Sequence, residues 1–522
     1  MKKILLTVLI TLIILTAGTV GVYRWLRGEG GREVLKSEEI IQMERDEGKT
    51  NAFQNISVED VIPLQLYGSG KNLLTYEYEN VFNPEEGQKN YSRIKRIMDK
   101  TEATFEEPII AYNLFGTGEN TLYFYFETDN NLSVRYTITS RDNAVVDFTR
   151  VAINKDMSSV SRKHEFVVRG IVPGRENLII LGLYNGEEQV QSITYMFDAK
   201  QPVVGKNMLV YSKGESKEES TNGLYFVFPK EKNRVCLYDN SGILRGELIQ
   251  EQPAGRRLIM SEASFFYSIS NNRIARISNI GQVMDTYTLE NYQELADFDY
   301  DGFETLYITA YPKGSKDGRG QCELIRLNIN TKRVEKVLSI DYRIEFNGIT
   351  LLNGGDAILS TQRPYGSLLI SGIAGESAKV SGVLGDKKAW KNTAYRKMVY
   401  QLTGKEEVAS RQGLIIYNKD KSREKFYSVS FMNQNRKEKS NSYYYEYLIN
   451  ISKKEFVVSV KIPAANSHKG GSGQSYENHS ILCSSSGEYG EYDMKGKPIK
   501  VFDTGFLIQS AVKANLRKNW FY

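Results

Sequence analysis

VCLYDNSGILRGEL (residues 235–248) reads as a strand, a tight polar turn and a second strand. The same unit recurs at IARISNIGQV (274–283), LIRLNINTKRV (324–334), LLISGIAGES (368–377), YEYLINISKKEFV (445–457) and YGEYDMKGKPIKV (489–501). Most copies stand roughly 40 to 50 residues apart, the period of propeller blades. One interval, between the fourth and fifth copies, is longer, and an insertion at about Lys387 to Lys405 accounts for it. Another strand pair precedes each copy, as in Gly223–Phe228, Glu304–Ala310 and Asp356–Thr361. Two strand pairs per period make a four-stranded blade. A lone blade leaves both faces wet, whereas six around an axis cover one another and leave only short edges. The spacing therefore predicts a six-bladed β-propeller over residues 206–522.

Upstream, residues 58–205 alternate apolar and polar residues in short strands. LYFYF (122–126) and LSVRYTI (132–138) flank a turn expected at Asp129-Asn130-Asn131. The whole suggests an immunoglobulin-like β-sandwich with one inserted helix at Tyr91 to Lys100. The fold class is thus all-β: sandwich, then propeller, with one N-terminal transmembrane helix. That helix is read from Lys2 and Lys3 followed by an apolar run from Ile4 to about Val22, on the order of 19 to 22 residues and enough to span a bilayer. Residues 1–27 are expected to be a signal anchor and 28–57 a polar stalk. The two lysines would hold the short end inside, leaving the bulk extracytoplasmic on a single-pass tether in the cell membrane. A cleaved signal peptide is the competing reading of the same run.

The chain carries 68 Lys and Arg against 63 Asp and Glu, a net charge of +5 over 522 residues. The charges are interleaved, with no basic stripe of the kind a nucleic-acid binder presents. The three cysteines, Cys236, Cys322 and Cys483, match no metal spacing and sit in apolar strands, as small buried hydrophobes do.

FVVRGIVPGRENL (166–178), FNGITLLNGGDAILSTQR (346–363) with VLGDKKAW (383–390), and the strand order from 443 to 503 resemble the bacterial arylsulfotransferase family. The likeness covers most of residues 105 to 505. It implies sulfuryl transfer from a phenolic sulfate to a phenol through a sulfo-histidine, with no metal or soluble cofactor. Asn347 and Arg363 stand where the family has axial sulfate-facing residues. Its histidines are not matched: Glu345 replaces one, Leu295-Ala296-Asp297 replaces a His-His-Asp segment, and 406–417 holds none. The chain has three histidines, His164, His468 and His479. His468, in the loop Asn466 to Gly473, is the candidate for a relocated nucleophile, with His479 behind it. The resemblance therefore implies a propeller with degenerate catalytic histidines that takes a phenolic or anionic small molecule. A non-catalytic surface module for a protein or glycan is the alternative.

Arg363, Asn347 and Asn418 are the candidate ligand-binding residues, since Arg offers planar donors matched to sulfate or carboxylate. Arg343, Arg411 and Tyr365 are near them in sequence. Asp297, Asp299 and Asp301, in DFDYDG (297–302), could offer carboxylate oxygens to calcium. Ile308 at the twelfth position excludes an EF-hand.

Overall fold

The computed structural model describes residues 61–516, apart from 67–70, 143, 315–320, 342, 354, 410–411, 424–425, 435–441, 466 and 468–469. The expected anchor and stalk lie outside the described residues, as do His468 and Arg411. Among the described residues no helix is long and apolar enough to cross a membrane.

Each of the six quoted repeats is an antiparallel hairpin, pairing for example Val235 with Leu248, Leu327 with Val334 and Tyr489 with Phe502. The turns explain why. Asp239 Oδ1 accepts from the amides of Ser241 (2.8 Å) and Ile243 (3.0 Å), and Asp493 Oδ1 accepts from Lys495 and Lys497 (both 2.9 Å). Asn328 and Asn450 do the same in their turns. An Asx side chain thus replaces the missing backbone partners. The turn then closes through a residue of positive φ: Gly242 and Gly496 in two copies, Lys332 and Lys454 in two others.

Four antiparallel sheets of four strands stand around an axis in a propeller-like arrangement. Their innermost strands are Ile508–Ala514, Ile259–Met260, Tyr292–Tyr300 and Glu345–Leu352, and the repeat hairpins form their outer edges. Ile508–Ala514 pairs with Leu224–Pro229, so one sheet joins the start of the propeller region to the end of the described residues. A ten-stranded sheet holds the last two repeats. Its halves meet at one parallel pair, Leu414 with Ser472, and Gln412–Tyr417 and Ser472–Tyr476 contact the neighbouring innermost strands.

Residues 61–198 form one nine-stranded sheet. Here the expected turn at 129–131 is corrected: Leu122–Ser140 is one continuous strand of 19 residues. The Asp-Asn-Asn run is a bulge, where pairing with Val160–Val168 slips between Glu127 and Leu132. Past the bulge the strand takes Glu176–Asn185 and Phe148–Val151 as partners, whereas before it the partner is Ile109–Tyr112. The helix runs over Pro84–Met98, earlier than expected, because Asn83 caps it (Oδ1 to Glu85 N, 3.0 Å) and Pro84 opens its first turn.

This sheet packs directly on the propeller, and one apolar core joins them. Arg245 donates to Val146 O (2.8 Å) and Gly170 O (3.3 Å), and Asn279 Nδ2 donates to Asn154 O (2.7 Å). The buried Glu247 carboxylate accepts from the connecting-segment amides of Val203, Val204 and Gly205 (2.7, 2.8 and 2.6 Å). Cys236, Cys322 and Cys483 are buried thiols, none in a disulfide.

Candidate functional site at the axial mouth

One end of the axis gathers the first residues of the innermost strands. Arg256 and Arg257 lead into Ile259–Met260, and both side chains turn toward the centre. Arg257 goes deeper: its Nη2 donates to Phe298 O (2.7 Å) and Ile349 O (2.5 Å) and pairs with Asp297 at 3.1 Å. Three blades are tied by one buried guanidinium. Burial pushes the Asp297 carboxyl up, and Arg257 counters it.

Arg256 stays at the mouth. Its Nη1 donates to Asn347 O (2.9 Å), and the Gln509 amide oxygen accepts from Nη2 (3.2 Å) and Nε (3.1 Å). It faces a cavity of about 180 Å³, whose polar lining includes Lys230, Ser270, Asn271, Glu294 and Gln509. Burial lowers the pKa of Arg256, with Asp297 and Glu294 opposing, and a guanidinium remains charged at any physiological pH. Lys230 adds a second cation. Among the described residues neither the Lys230 ammonium nor the Glu294 carboxylate has a hydrogen-bonded or ion-pair partner. The cavity therefore offers two cations and one carboxylate, an arrangement that attracts an anionic group.

The residues singled out from sequence divide. Asn347 is at the axis but fully buried, its amide spent on Gln412 O (2.5 Å), on Gln362 and on Arg256. Arg363, half-buried, follows Gln362 at the same end of the propeller, and among the described residues its guanidinium has no partner. Tyr365, beside it, is exposed. Asn418 lies at the far end of Gln412–Tyr417, on the order of 15 Å along the strand, bonded to Ser428 and Ser430 (both 3.0 Å). It does not join the other two. Arg343 is on the outer surface, paired with Asp341 at 2.6 Å.

Asp297 and Asp299 point toward Arg257 and the amides of Ile349 (3.1 Å) and Leu351 (2.9 Å). Asp301 instead closes its own turn on Phe303, Glu304 and Thr305. Asp297 and Asp299 share Arg257 while Asp301 is turned onto its own loop, and among the described residues no group of three His, Cys, Asp or Glu is arranged to hold a metal.

His164 is buried in the N-terminal sheet, stacked on Phe126 at 4.7 Å, where burial pushes its pKa down to about 4. His479 sits at the opposite end of the propeller from Arg256, between two carboxylates. His468 lies outside the described residues. Its neighbours Ser467 and Gly470 are bonded to each other at 2.9 Å, and Gly471 N donates to Gln509 O (2.8 Å), at the mouth.

Sequence reasoning missed Arg256, Lys230 and Gln509. The available signal was Gly255-Arg256-Arg257, two adjacent cations directly before an inner strand.

No family model matches the chain, and no curated protein matches it. Among solved structures, the nidogen/laminin complex has a chain 9% identical, with TM-score 0.38, matching over 56% of this chain and 98% of that one. A protein of unknown function from Bacteroides caccae is 9% identical over 56% of this chain and 100% of its own, TM-score 0.39. The computationally designed Ika8 protein is 8% identical over 66% and 93%, TM-score 0.31.

Proposed function

We propose that this chain is an arylsulfotransferase-like, six-bladed propeller that binds an anionic aromatic molecule at its axial mouth, without the family's histidine chemistry. The observation that carries it is Arg256, a charged guanidinium held at the axis and facing a polar cavity with Lys230 beside it. Planar N–H donors suit a sulfate or carboxylate oxygen pair, and a charge-assisted bond there is stronger than a neutral one. The count of six treats the ten-stranded sheet as two blades, supported by the single pair that joins its halves. The immunoglobulin-like reading of residues 58–205 rests on strand spacing, and the membrane tether on the apolar run from Ile4 to about Val22.

Two of the three histidines are away from the mouth and engaged elsewhere, which favours binding over transfer. The full chain incubated with 4-nitrophenyl sulfate and a phenol acceptor is expected to release no nitrophenol above the uncatalysed rate. Release abolished by His468→Ala would instead assign the nucleophile to that residue and overturn the non-catalytic part of the reading.

A further inference from the structure

The insertion between the fourth and fifth repeats carries charge out of proportion to the chain. Residues 387–397 (KKAWKNTAYRK) hold five cations and no carboxylate, in a protein whose 68 basic residues are nearly matched by 63 acidic ones. Lys387, Lys388, Lys391, Arg396 and Lys397 are all exposed. Among the described residues none of their charged groups has a hydrogen-bonded or ion-pair partner.

This is not a loose tail. Trp390 is fully buried and its indole donates to Tyr365 O (2.9 Å). Thr393 Oγ1 donates to Trp390 O (2.9 Å), Ala394 N to Asp341 Oδ2 (3.3 Å), and Tyr400 N to Val383 O (2.8 Å). Arg343, held by Asp341, donates to Asn392 O. The segment is pinned at both ends and in the middle while its cations face solvent. Together with Arg343, three of them line a cleft of about 810 Å³. Fixing like charges on a rigid loop costs self-repulsion that the fold does not need, and a polyanion relieves it.

We propose that this cleft binds a linear polyanion bearing closely spaced phosphates. Lys391, Arg396 and Lys397, with Arg343 beside them, exceed what a single phosphate can contact, and their spread along one segment suits a linear polymer. Binding releases the counterions condensed on the polymer, so affinity falls steeply with salt.

The test titrates the full chain, in a neutral detergent, into fluorescein-labelled inorganic polyphosphate and follows anisotropy. Saturable binding is expected, weakening sharply with added salt and on the order of tenfold weaker in K391Q/R396Q/K397Q. Orthophosphate should compete poorly. A control, K89Q/K217Q/K453Q, removes the same charge from exposed sites elsewhere and should keep wild-type affinity. Absent binding, binding indifferent to the first triple, or equal loss in the control overturns the proposal. Binding confined to phosphatidylglycerol vesicles overturns it too, and reassigns the cleft to a bilayer surface.

Discussion

His479 is held between two carboxylates, with Nδ1 2.7 Å from Glu491 and Nε2 2.9 Å from Glu218. Behind it the fully buried Lys513 lies 2.8 Å from Glu491 and donates to Thr221 O (2.6 Å) and Asn240 Oδ1 (2.8 Å). Burial works against the Glu491 carboxylate, yet Lys513 and His479 keep it ionised, well below its usual range. The hydrogen bond to Glu491 raises the His479 pKa, against burial. A histidine whose folded pKa exceeds its unfolded value stabilises the fold fully below the unfolded value, about 6.5, and loses that contribution as pH climbs through the folded one. The difference in Tm between wild type and His479→Gln should therefore be largest below the unfolded pKa and shrink as the pH rises through the folded one. A difference independent of pH, or growing with it, would contradict the charged imidazole. None of this was visible in sequence. The sequence offers His479 only as a second candidate nucleophile behind His468, because its partners come from positions 218 and 491 through tertiary pairing. Arg256 is hidden because only strand direction shows which end of a strand reaches the axis, whereas Arg363 and Asn347 are suggested by the family resemblance and by the planar donors of arginine.

At the scale of elements, the repeat hairpins were legible because their turn chemistry is local: an Asx acceptor and a residue of positive φ within a few positions. The same logic misled at Asp129-Asn130-Asn131, since a bulge inside a long strand uses the residues a turn uses. The insertion was legible as an interruption of the period, but its anchor was not. Trp390 fills the space against Gly366 and Gly385, where an added Cβ would meet its indole nitrogen at 3.1 and 2.3 Å. Replacing Trp390 with Ala should cost about 3–5 kcal/mol, from lost burial plus the cavity left behind. Chemical denaturation of the purified variant measures this, and a loss under about 1 kcal/mol would mean the insertion does not brace the blade.

For the whole molecule, closure depends on the C-terminal strand. Ile508–Ala514 pairs with Leu224–Pro229, whose six residues are all buried. Nothing local in either stretch announces a partner so distant in sequence, so the closure was not foreseen. Ending the chain at Leu507 would bare that strand edge, remove Lys513 from its buried pair with Glu491 and take Gln509 from Arg256. An uncompensated buried charge and an open sheet edge both destabilise. Circular dichroism of the truncated chain should show loss of the single cooperative thermal transition, and an unchanged transition would refute the role given to this strand.

The ligand claim rests on the axial mouth as a whole, and isothermal titration of 4-nitrophenyl sulfate into the full chain reaches it most directly. Saturable binding of the sulfate ester and not of 4-nitrophenol is expected, weakened on the order of tenfold by Arg256→Gln and by Lys230→Gln, each removing one cation from the cavity. Equal affinity for ester and phenol, or an affinity that both substitutions leave unchanged, would contradict it.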